Sequence, residues 1–191
     1  MKRIVIFASG SGTNAENIIK YFNHTGGATV VQVLSNKRDA KVLDKSNSHQ
    51  ISSLYFNRIA FYDTNDILNL LLITKPDLIV LAGFLWKFPE KILAYFPNKV
   101  INVHPALLPN YGGKGMYGMN VHKAVIKNKE KESGITIHYV NEAYDEGAII
   151  FQATTNIEKE DTPEDLAKKI HDLEYEHFPK VIERLLQKQH E

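Results

Sequence analysis

Cysteine is absent from this 191-residue chain, which excludes disulfide bonds, thiolate metal sites and a cysteine nucleophile. The absence also fits a reducing compartment, so we expect a cytoplasmic protein. Residues 2–3 are basic, as at the start of a signal peptide, but the apolar run at residues 4–8 is too short and ends in a Gly/Ser loop. No run approaches the roughly 18 apolar residues of a membrane-spanning helix, so we expect no membrane partner.

The sequence also has no large excess of positive or of negative charge. Lysine and arginine total 23 against 22 for aspartate and glutamate, and the formal net charge is +1. No field of the whole molecule attracts nucleic acid, so we expect none as a partner. An anionic small molecule would have to be held by local backbone amides or a few placed side chains. We expect small-molecule substrates and a monomer or weak homodimer.

Apolar strands alternate with helical patterns along most of the sequence. The predicted strands of the first part are residues 4–8, 30–34, 77–83 and 100–103. Residues 134–140 and 148–155 are further strands separated by a polar turn, which favours antiparallel pairing. The 43% of hydrophobic and 24% of charged residues are typical of a globular protein. The sequence predicts a single α/β domain, an open, mostly parallel twisted sheet with helices on both faces and an antiparallel strand in the C-terminal half.

Several features predict where helices begin and end. Thr13 and Glu16 have the spacing of a capping box at the start of the first helix. Residues 63–73 have a helical pattern. Residues 162–165 are expected to cap a long C-terminal helix, which Pro179 should kink or split.

Residues 9–14, Ser-Gly-Ser-Gly-Thr-Asn, lie between the first strand and the first helix. Glycines allow the backbone to approach a ligand, and a helix N-terminus offers free N–H groups. We therefore expect a phosphate group as the ligand of this turn. The dinucleotide-binding fingerprint is not met, because Ala15 stands at the third glycine position and only Asp39 is available as the ribose-binding acid. A tight turn that holds no ligand fits these residues equally well.

Asn102, His104 and Asp145 are the candidate catalytic residues. Asn102 and His104 alternate along one strand, so both side chains lie on one face at its C-terminal end, where open α/β sheets bind ligands. Asp145 follows the strand that carries Thr136 and His138. An amide donor, an imidazole and a carboxylate are the groups that acyl transfer to an amine requires. On spacing alone, a structural role in strand ends and turns stays open for each of them.

Three motifs make the sequence similar to the folate-dependent formyltransferases. They are Asn-Val-His-Pro-Ala-Leu-Leu-Pro at residues 102–109, Gly-x-Thr-x-His at residues 134–138 and Asp-x-Gly-x-Ile-Ile-x-Gln at residues 145–152. The resemblance extends from Ile4 to about Leu186 and implies a Rossmann-like formyltransferase fold. It implies a phosphate-binding half at residues 1–100 and a catalytic, folate-binding half at residues 101–191. The turn at residues 9–14 and the expected lack of a further domain most resemble the members that formylate glycinamide ribonucleotide.

The resemblance implies that 10-formyltetrahydrofolate, as co-substrate, gives its formyl group to the amine of glycinamide ribonucleotide in purine synthesis. It implies that Asn102 donates a hydrogen bond to the formyl oxygen and that His104, if protonated, neutralises the charge there. Asp145 would orient the imidazole and move a proton, with Thr136 and His138 as supporting residues. We expect no covalent intermediate and no metal, because no histidines have the spacing of metal ligands.

Binding residues of the family are carried over position by position. Gly12, Thr13 and Asn14 match the phosphate-holding turn, and Glu174 matches a glutamate near the substrate amine and ribose. The expected folate-binding residues are Leu85, Trp86, Lys87, Phe88, Asn141, Glu142, Ala143 and Tyr144.

Some features depart from the family pattern or leave alternatives open. Trp86 stands where relatives often have a small basic or polar residue. This difference predicts that the entrance of the folate-binding site has a different shape. The glycine-rich loop at residues 111–119 is either a lid or plain surface, and Lys114 either meets the phosphate or is exposed. Amino sugars, methionyl-tRNA and water are the alternative formyl acceptors. A non-catalytic nucleotide-binding module is the alternative from another class.

Overall fold

Seven strands form one sheet in the computed structural model, which describes residues 1–188. The strands are β1 (Lys2–Phe7), β2 (Ala28–Ser35), β3 (Ser52–Tyr55), β4 (Leu78–Leu81), β5 (Val100–His104), β6 (Glu132–Tyr139) and β7 (Ile149–Asn156). The helices are α1 (Thr13–Thr25), α2 (Lys41–Ser48), α3 (Asp66–Thr74), α4 (Glu90–Tyr95), α5 (Met119–Lys127) and α6 (Pro163–Lys188). The expected domain extends to residue 191, and residues 189–191 lie outside the described part of the chain.

The sheet is parallel except around one strand. Its order is β3-β2-β1-β4-β5-β6-β7. Neighbouring strands from β3 to β5 pair in parallel, whereas β6 is antiparallel to both β5 and β7. Parallel neighbours require crossover connections, which α1, α2, α3 and α4 supply. The predicted single α/β domain, with an antiparallel strand in its C-terminal half, is confirmed.

Residues of β1 alternate between the two faces of the sheet and are buried on both. Ile4 and Ile6 belong to a cluster with residues of α1, α5 and α6. Val5 and Phe7 belong to a second cluster with residues of α3 and α4. A strand that is covered on both sides requires the continuous apolar run at residues 4–8. The helices therefore lie on both faces, and β1 lies in the centre of the core.

Two stretches differ from the expectation. Ser52–Tyr55 forms the edge strand β3, which the sequence pattern did not predict because the run is short and mostly exposed. The helix expected at residues 63–73 is divided into a π-helical turn, Ile59–Asp63, and α3. Thr64 lies between them, and its hydroxyl donates a hydrogen bond to Asp66 Oδ2 at 2.7 Å.

The prediction that Thr13 and Glu16 form a capping box is wrong. Thr13 is the first residue of α1, and Gly12 precedes it in the left-handed region at φ 70°, without a side-chain cap. Glu16 instead forms ion pairs with Lys20 at 2.7 Å and Lys45 at 2.8 Å. Hydrogen bonds from Lys20 and then Lys45 lower the pKa of Glu16 to about 2. Glu16 therefore pairs with two ammonium groups and does not form the expected hydrogen bond with the backbone.

The predicted cap of the C-terminal helix is confirmed. The N–H of Thr162 donates to Asp165 Oδ2 at 3.2 Å, and the N–H of Asp165 donates to Thr162 Oγ1 at 3.2 Å. Pro179 does not split α6, which continues to Lys188. Pro179 and its neighbour Phe178 are buried, and this burial offsets the hydrogen bond that a proline removes from a helix.

The longest helix is α6, with 26 residues. Charged side chains recur along it, and no helix within residues 1–188 combines the length and the apolar character needed to cross a bilayer. The expected cytoplasmic location stays a prediction.

We expect Gly134→Ala to destabilise the fold. A Cβ at Gly134 would lie 2.0 Å from the carbonyl oxygen of Ala153 on β7. The strands would have to separate locally, and overpacking of this kind costs about 1–3 kcal/mol. Urea unfolding measures the loss. Gly10→Ala is the matched control, because its Cβ meets nothing within 4 Å, and its unfolding free energy should stay within about 0.5 kcal/mol of the parent. Equal stability of the two variants would contradict the packing argument.

Candidate active site

Asn102 and His104 lie at the C-terminal end of β5, between β4 and β6. They alternate with Ile101 and Val103, which pack into the core on the other side of the sheet. His104 is buried and Asn102 is half-buried. The strand therefore directs an amide and an imidazole to the same rim of the sheet.

His138 on β6 lies directly opposite Asn102. Its Nδ1 is 2.9 Å from the carbonyl oxygen of Tyr139, so Nδ1 carries the hydrogen. In the neutral ring, Nε2 then accepts a hydrogen bond from Asn102 Nδ2, at 3.2 Å. This contact fixes the amide of Asn102, whose second N–H forms no hydrogen bond within the described residues.

Asp145 approaches both histidines from the turn between β6 and β7. Its Oδ2 is 3.5 Å from His104 Nδ1, and its Oδ1 is 3.7 Å from His138 Nε2. The residue has φ 57°, a left-handed conformation that aspartate tolerates better than most residues. Gly147 allows the turn to pack closely, since a Cβ there would lie 1.7 Å from the Tyr139 carbonyl oxygen.

Burial and charge act in opposite directions on the pair of His104 and Asp145. Burial lowers the pKa of His104 below 6.5, and the charge of Asp145 restores only part of it. Burial raises the pKa of Asp145, but the neighbouring His138, the charge of His104 and the N–H of Gly113 lower it by more, so the net shift is downward. At pH 7 the ligand-free site therefore combines a neutral imidazole with an ionised carboxylate. The role that the resemblance implies for His104, if protonated, therefore requires the imidazole to gain a proton during the reaction.

The glycine-rich loop contributes backbone groups to the site. The carbonyl oxygen of Tyr111 lies 2.8 Å from His104 Nε2. The N–H of Gly113 donates to Asp145 Oδ2 at 3.0 Å. Sequence reasoning missed both contacts, because backbone groups leave no side-chain signal. Lys114 in the same loop is exposed and forms no ion pair with residues 1–188.

Thr136 fixes the chain just after His104. Its hydroxyl donates to the carbonyl oxygen of Ala106 at 2.7 Å and accepts from the N–H of Leu108 at 3.0 Å. Gln152 Nε2 donates to the same hydroxyl oxygen at 2.9 Å. Thr136 is fully buried, so these bonds replace the water that the loop would otherwise need.

The turn at residues 9–14 leaves the first N–H groups of α1 without a side-chain cap. Gly12 is required there, because a Cβ would lie 2.4 Å from Val42 Cγ2. Asn14 Nδ2 donates to Glu174 Oε2 at 2.8 Å, which brings α6 to the turn. The structure thus brings together the residues expected to bind phosphate and ribose.

A cleft of about 630 Å³ adjoins this turn. Ser9, Gly10 and Ser11 form one wall, and Lys37–Lys41 forms the other. The basic residues of the second wall, which sequence reasoning missed, outnumber its one carboxylate, Asp39, so this wall has a net positive charge; they are Lys37, Arg38 and Lys41.

The two segments expected to bind folate lie at one edge of an aromatic cluster. Trp86 and Val140 pack against the same core cluster. Burial raises the pKa of Tyr62, the charge of Arg58 lowers it, and the charge of Tyr144 raises it by a smaller amount. Arg58, which sequence reasoning missed, lies 5.3 Å from the centre of the Trp86 ring.

The expected folate residues differ in accessibility. Phe88 is 3% exposed and contacts Phe7 and Phe61, so its side chain belongs to the core. The remaining residues are half-buried or exposed; they are Leu85, Trp86, Lys87, Asn141, Glu142, Ala143 and Tyr144. No group of three potential metal-ligating side chains that could hold an ion occurs within residues 1–188.

Comparison with known proteins gives consistent matches over the whole domain. The model of the formyl transferase family matches residues 2–182. The chain is 35% identical to the chloroplastic phosphoribosylglycinamide formyltransferase of Arabidopsis thaliana, covering 95% of this chain and 64% of that protein, which is less than two thirds of the relative's length. It is 34% identical to the phosphoribosylglycinamide formyltransferase of Bacillus subtilis, covering 97% and 95%. The crystal structure of glycinamide ribonucleotide transformylase 1 from Symbiobacterium toebii superimposes with a TM-score of 0.90 at 29% identity, covering 98% and 89%.

We expect opposite shifts for two histidines in an NMR titration of the imidazole rings. Burial lowers the pKa of His104 below 6.5, whereas a hydrogen bond to Glu174 raises that of His171 above 6.5. In Asp145→Asn, the midpoint of His104 should fall further, because the carboxylate is the main influence that raises it. The midpoint of His171 serves as the internal control. A His104 midpoint above 6.5, or one that is unchanged in the variant, would contradict this electrostatic account.

Proposed function

The chain belongs to the formyl transferase family, and on that premise we propose that it transfers the formyl group of 10-formyltetrahydrofolate to the amine of glycinamide ribonucleotide, N1-(5-phospho-D-ribosyl)glycinamide, in de novo purine synthesis. The observation that carries the proposal is the convergence of Asn102, His104 and Asp145 at one end of β5. The acceptor is supported by the names of the Arabidopsis thaliana and Bacillus subtilis relatives.

Transfer begins when the acceptor amine attacks the formyl carbon. A new C–N bond forms, and negative charge develops on the formyl oxygen. The second N–H of Asn102 donates to that oxygen, and His138 holds the amide in place for this bond. A donor that is fixed before the reaction stabilises the transition state without having to reorganise.

His104 responds to the charge that develops during attack. Its imidazole starts neutral because burial lowers its pKa. Negative charge on the formyl oxygen favours the imidazolium, and the proton that the attacking amine loses reaches His104 Nδ1 through Asp145, 3.5 Å away. The ring therefore neutralises the intermediate only while that intermediate exists.

Asp145 carries the proton from the acceptor to the donor. The attacking amine becomes positively charged, and the ionised carboxylate accepts its proton directly or through one water. The C–N bond to the folate nitrogen then breaks, and that nitrogen receives the proton. The N–H of Gly113 holds the carboxylate in position throughout. No covalent enzyme intermediate is formed.

The binding residues divide by the chemistry of each substrate part. The phosphate binds the N–H groups at Gly12, Thr13 and Asn14, where α1 has no side-chain cap. Glu174 lies near the ribose and the amine of the bound glycinamide ribonucleotide. The pterin lies between the segment of Leu85, Trp86, Lys87 and Phe88 and the segment of Asn141, Glu142, Ala143 and Tyr144.

We expect Asn102→Ala to lower kcat by about 10²–10³, the usual loss when one oxyanion donor is removed. The assay follows the folate spectrum of 10-formyltetrahydrofolate with and without glycinamide ribonucleotide. Asn23→Ala is the matched control, because Asn23 is exposed on α1, and it should keep the parent rate. Turnover that needs no acceptor would indicate hydrolysis and contradict the proposal.

Trp86 is the only tryptophan of the chain, so its fluorescence reports on the proposed folate site. We expect titration with 10-formyltetrahydrofolate, without acceptor, to quench the emission, because the pterin would lie against the indole. N-acetyltryptophanamide in the same titration corrects for light absorbed by the folate. Glycinamide ribonucleotide alone should leave the emission unchanged. Catalytic turnover without quenching would place the folate away from Trp86.

A further inference from the structure

His122 is a buried histidine that the proposed mechanism does not use. It lies on α5, just after the glycine-rich loop, and is 5% exposed. Its Nδ1 is buried and has no hydrogen-bond partner among residues 1–188. Buried polar atoms are nearly always paired with protein, water or a ligand. The unpaired atom therefore indicates a partner that does not belong to the chain.

The surroundings of His122 place it at the candidate active site. Burial lowers its pKa, the charge of Glu174 raises it, and His104 lowers it further, with a net shift downward. The ring is therefore neutral at pH 7 and lies within electrostatic reach of both residues. Packing of α5 against α6, the helix that carries Glu174, agrees with this position.

A second unpaired atom, Asn14 Oδ1, belongs to a residue that is hydrogen-bonded to Glu174. Glu174 Oε2 accepts a hydrogen bond from Asn14 Nδ2 at 2.8 Å and lies 3.2 Å from His171 Nδ1. Asn14 Oδ1 is buried without a partner in the described part of the chain. Glu174 Oε1 accepts no hydrogen bond from residues 1–188. His122 Nδ1, Asn14 Oδ1 and Glu174 Oε1 thus remain available to a ligand where α5 and α6 pack together and α6 meets the turn at residues 9–14.

The chemistry of these atoms selects hydroxyl groups over phosphate. Asn14 Oδ1 and Glu174 Oε1 are acceptors, and a carboxylate repels the oxygens of a phosphate. The Nδ1 of a neutral imidazole can accept a hydrogen bond from a hydroxyl or donate one to it. Ribose hydroxyls provide donors for the two acceptors and either role for His122.

We propose that His122 binds the ribose of the acceptor ribonucleotide through Nδ1, beside Asn14 and Glu174, and so positions the acceptor amine for attack. The inference rests on the proposed function. His122 is thus a positioning residue, which holds the acceptor and does not act on the formyl group.

Two amide substitutions test the role of Nδ1. In His122→Asn, the new amide group lies close to the position of Nδ1. In His122→Gln, the longer side chain places its amide group close to the position of Nε2. We expect the KM for glycinamide ribonucleotide to rise about tenfold in His122→Gln, a typical loss for an unmade buried hydrogen bond. In His122→Asn much of that loss should be rescued. The KM for 10-formyltetrahydrofolate should stay within about twofold in both variants.

An acceptor analogue whose ribose lacks its 2′- and 3′-hydroxyls identifies the group that His122 binds. With this analogue, the difference between His122→Asn and His122→Gln should disappear. Thermal unfolding checks that both variants fold, and His122→Leu, which has no polar atom, replaces His122→Gln if that variant unfolds.

Three outcomes would overturn the proposal. The first is an equal acceptor KM in the two variants, and the second is a difference between them that persists with the deoxygenated analogue. Either result would leave the proposed function intact if the parent protein formylates glycinamide ribonucleotide. The third is a parent protein that does not use this acceptor at all, which would refute the proposed function together with the inference.

Discussion

The antiparallel pairing of β6 with β5 places the side chains on which the candidate site depends. His138 lies opposite Asn102, and Thr136 lies opposite His104. A slip of one residue would turn both β6 side chains to the other face of the sheet. In the observed register, His138 fixes the amide of Asn102, and Thr136 fixes the loop after His104. The tight approach of β7 to Gly134 helps to hold this register, since no side chain fits between the strands there.

A second constraint is electrostatic. His104 and Asp145 are both largely removed from water, and burial opposes the charge of each. The N–H of Gly113 and two neighbouring histidines outweigh the burial of Asp145 and leave its carboxylate ionised. Asp145, the Tyr111 carbonyl oxygen and Glu174 do not outweigh the burial of His104, so its imidazole stays neutral. A site in this state can accept a proton during the reaction. A permanent imidazolium beside the carboxylate would already have used that capacity.

The sequence predicted those parts of the fold that depend on local pattern. Apolar runs located most of the strands, and polar residues at their ends located Asn102 and His104. The edge strand β3 was missed because its partner β2, rather than its own pattern, makes it a strand. The capping box failed because Gly12, and not Thr13, immediately precedes the helix, and because Glu16 pairs with Lys20 and Lys45 instead. The contact from Gly113 could not be predicted, since a backbone N–H is the same in every residue except proline. The roles of these side chains and the division of the chain into two functional halves stay predictions.

The hydrogen bond between Asn14 and Glu174 joins residues that are 160 positions apart, and it gives the proposed acceptor site two unlike ends. On one side, Gly12 leaves the uncapped N–H groups of α1, which attract anions. On the other side, the carboxylate of Glu174 repels anions and accepts hydrogen bonds. A phosphorylated ribose can satisfy both ends in only one direction, with its phosphate at the turn and its hydroxyls at the carboxylate. Under the proposed function, charge would fix the direction of the acceptor before it meets the formyl donor, and the amine at its far end would approach His104 and Asp145.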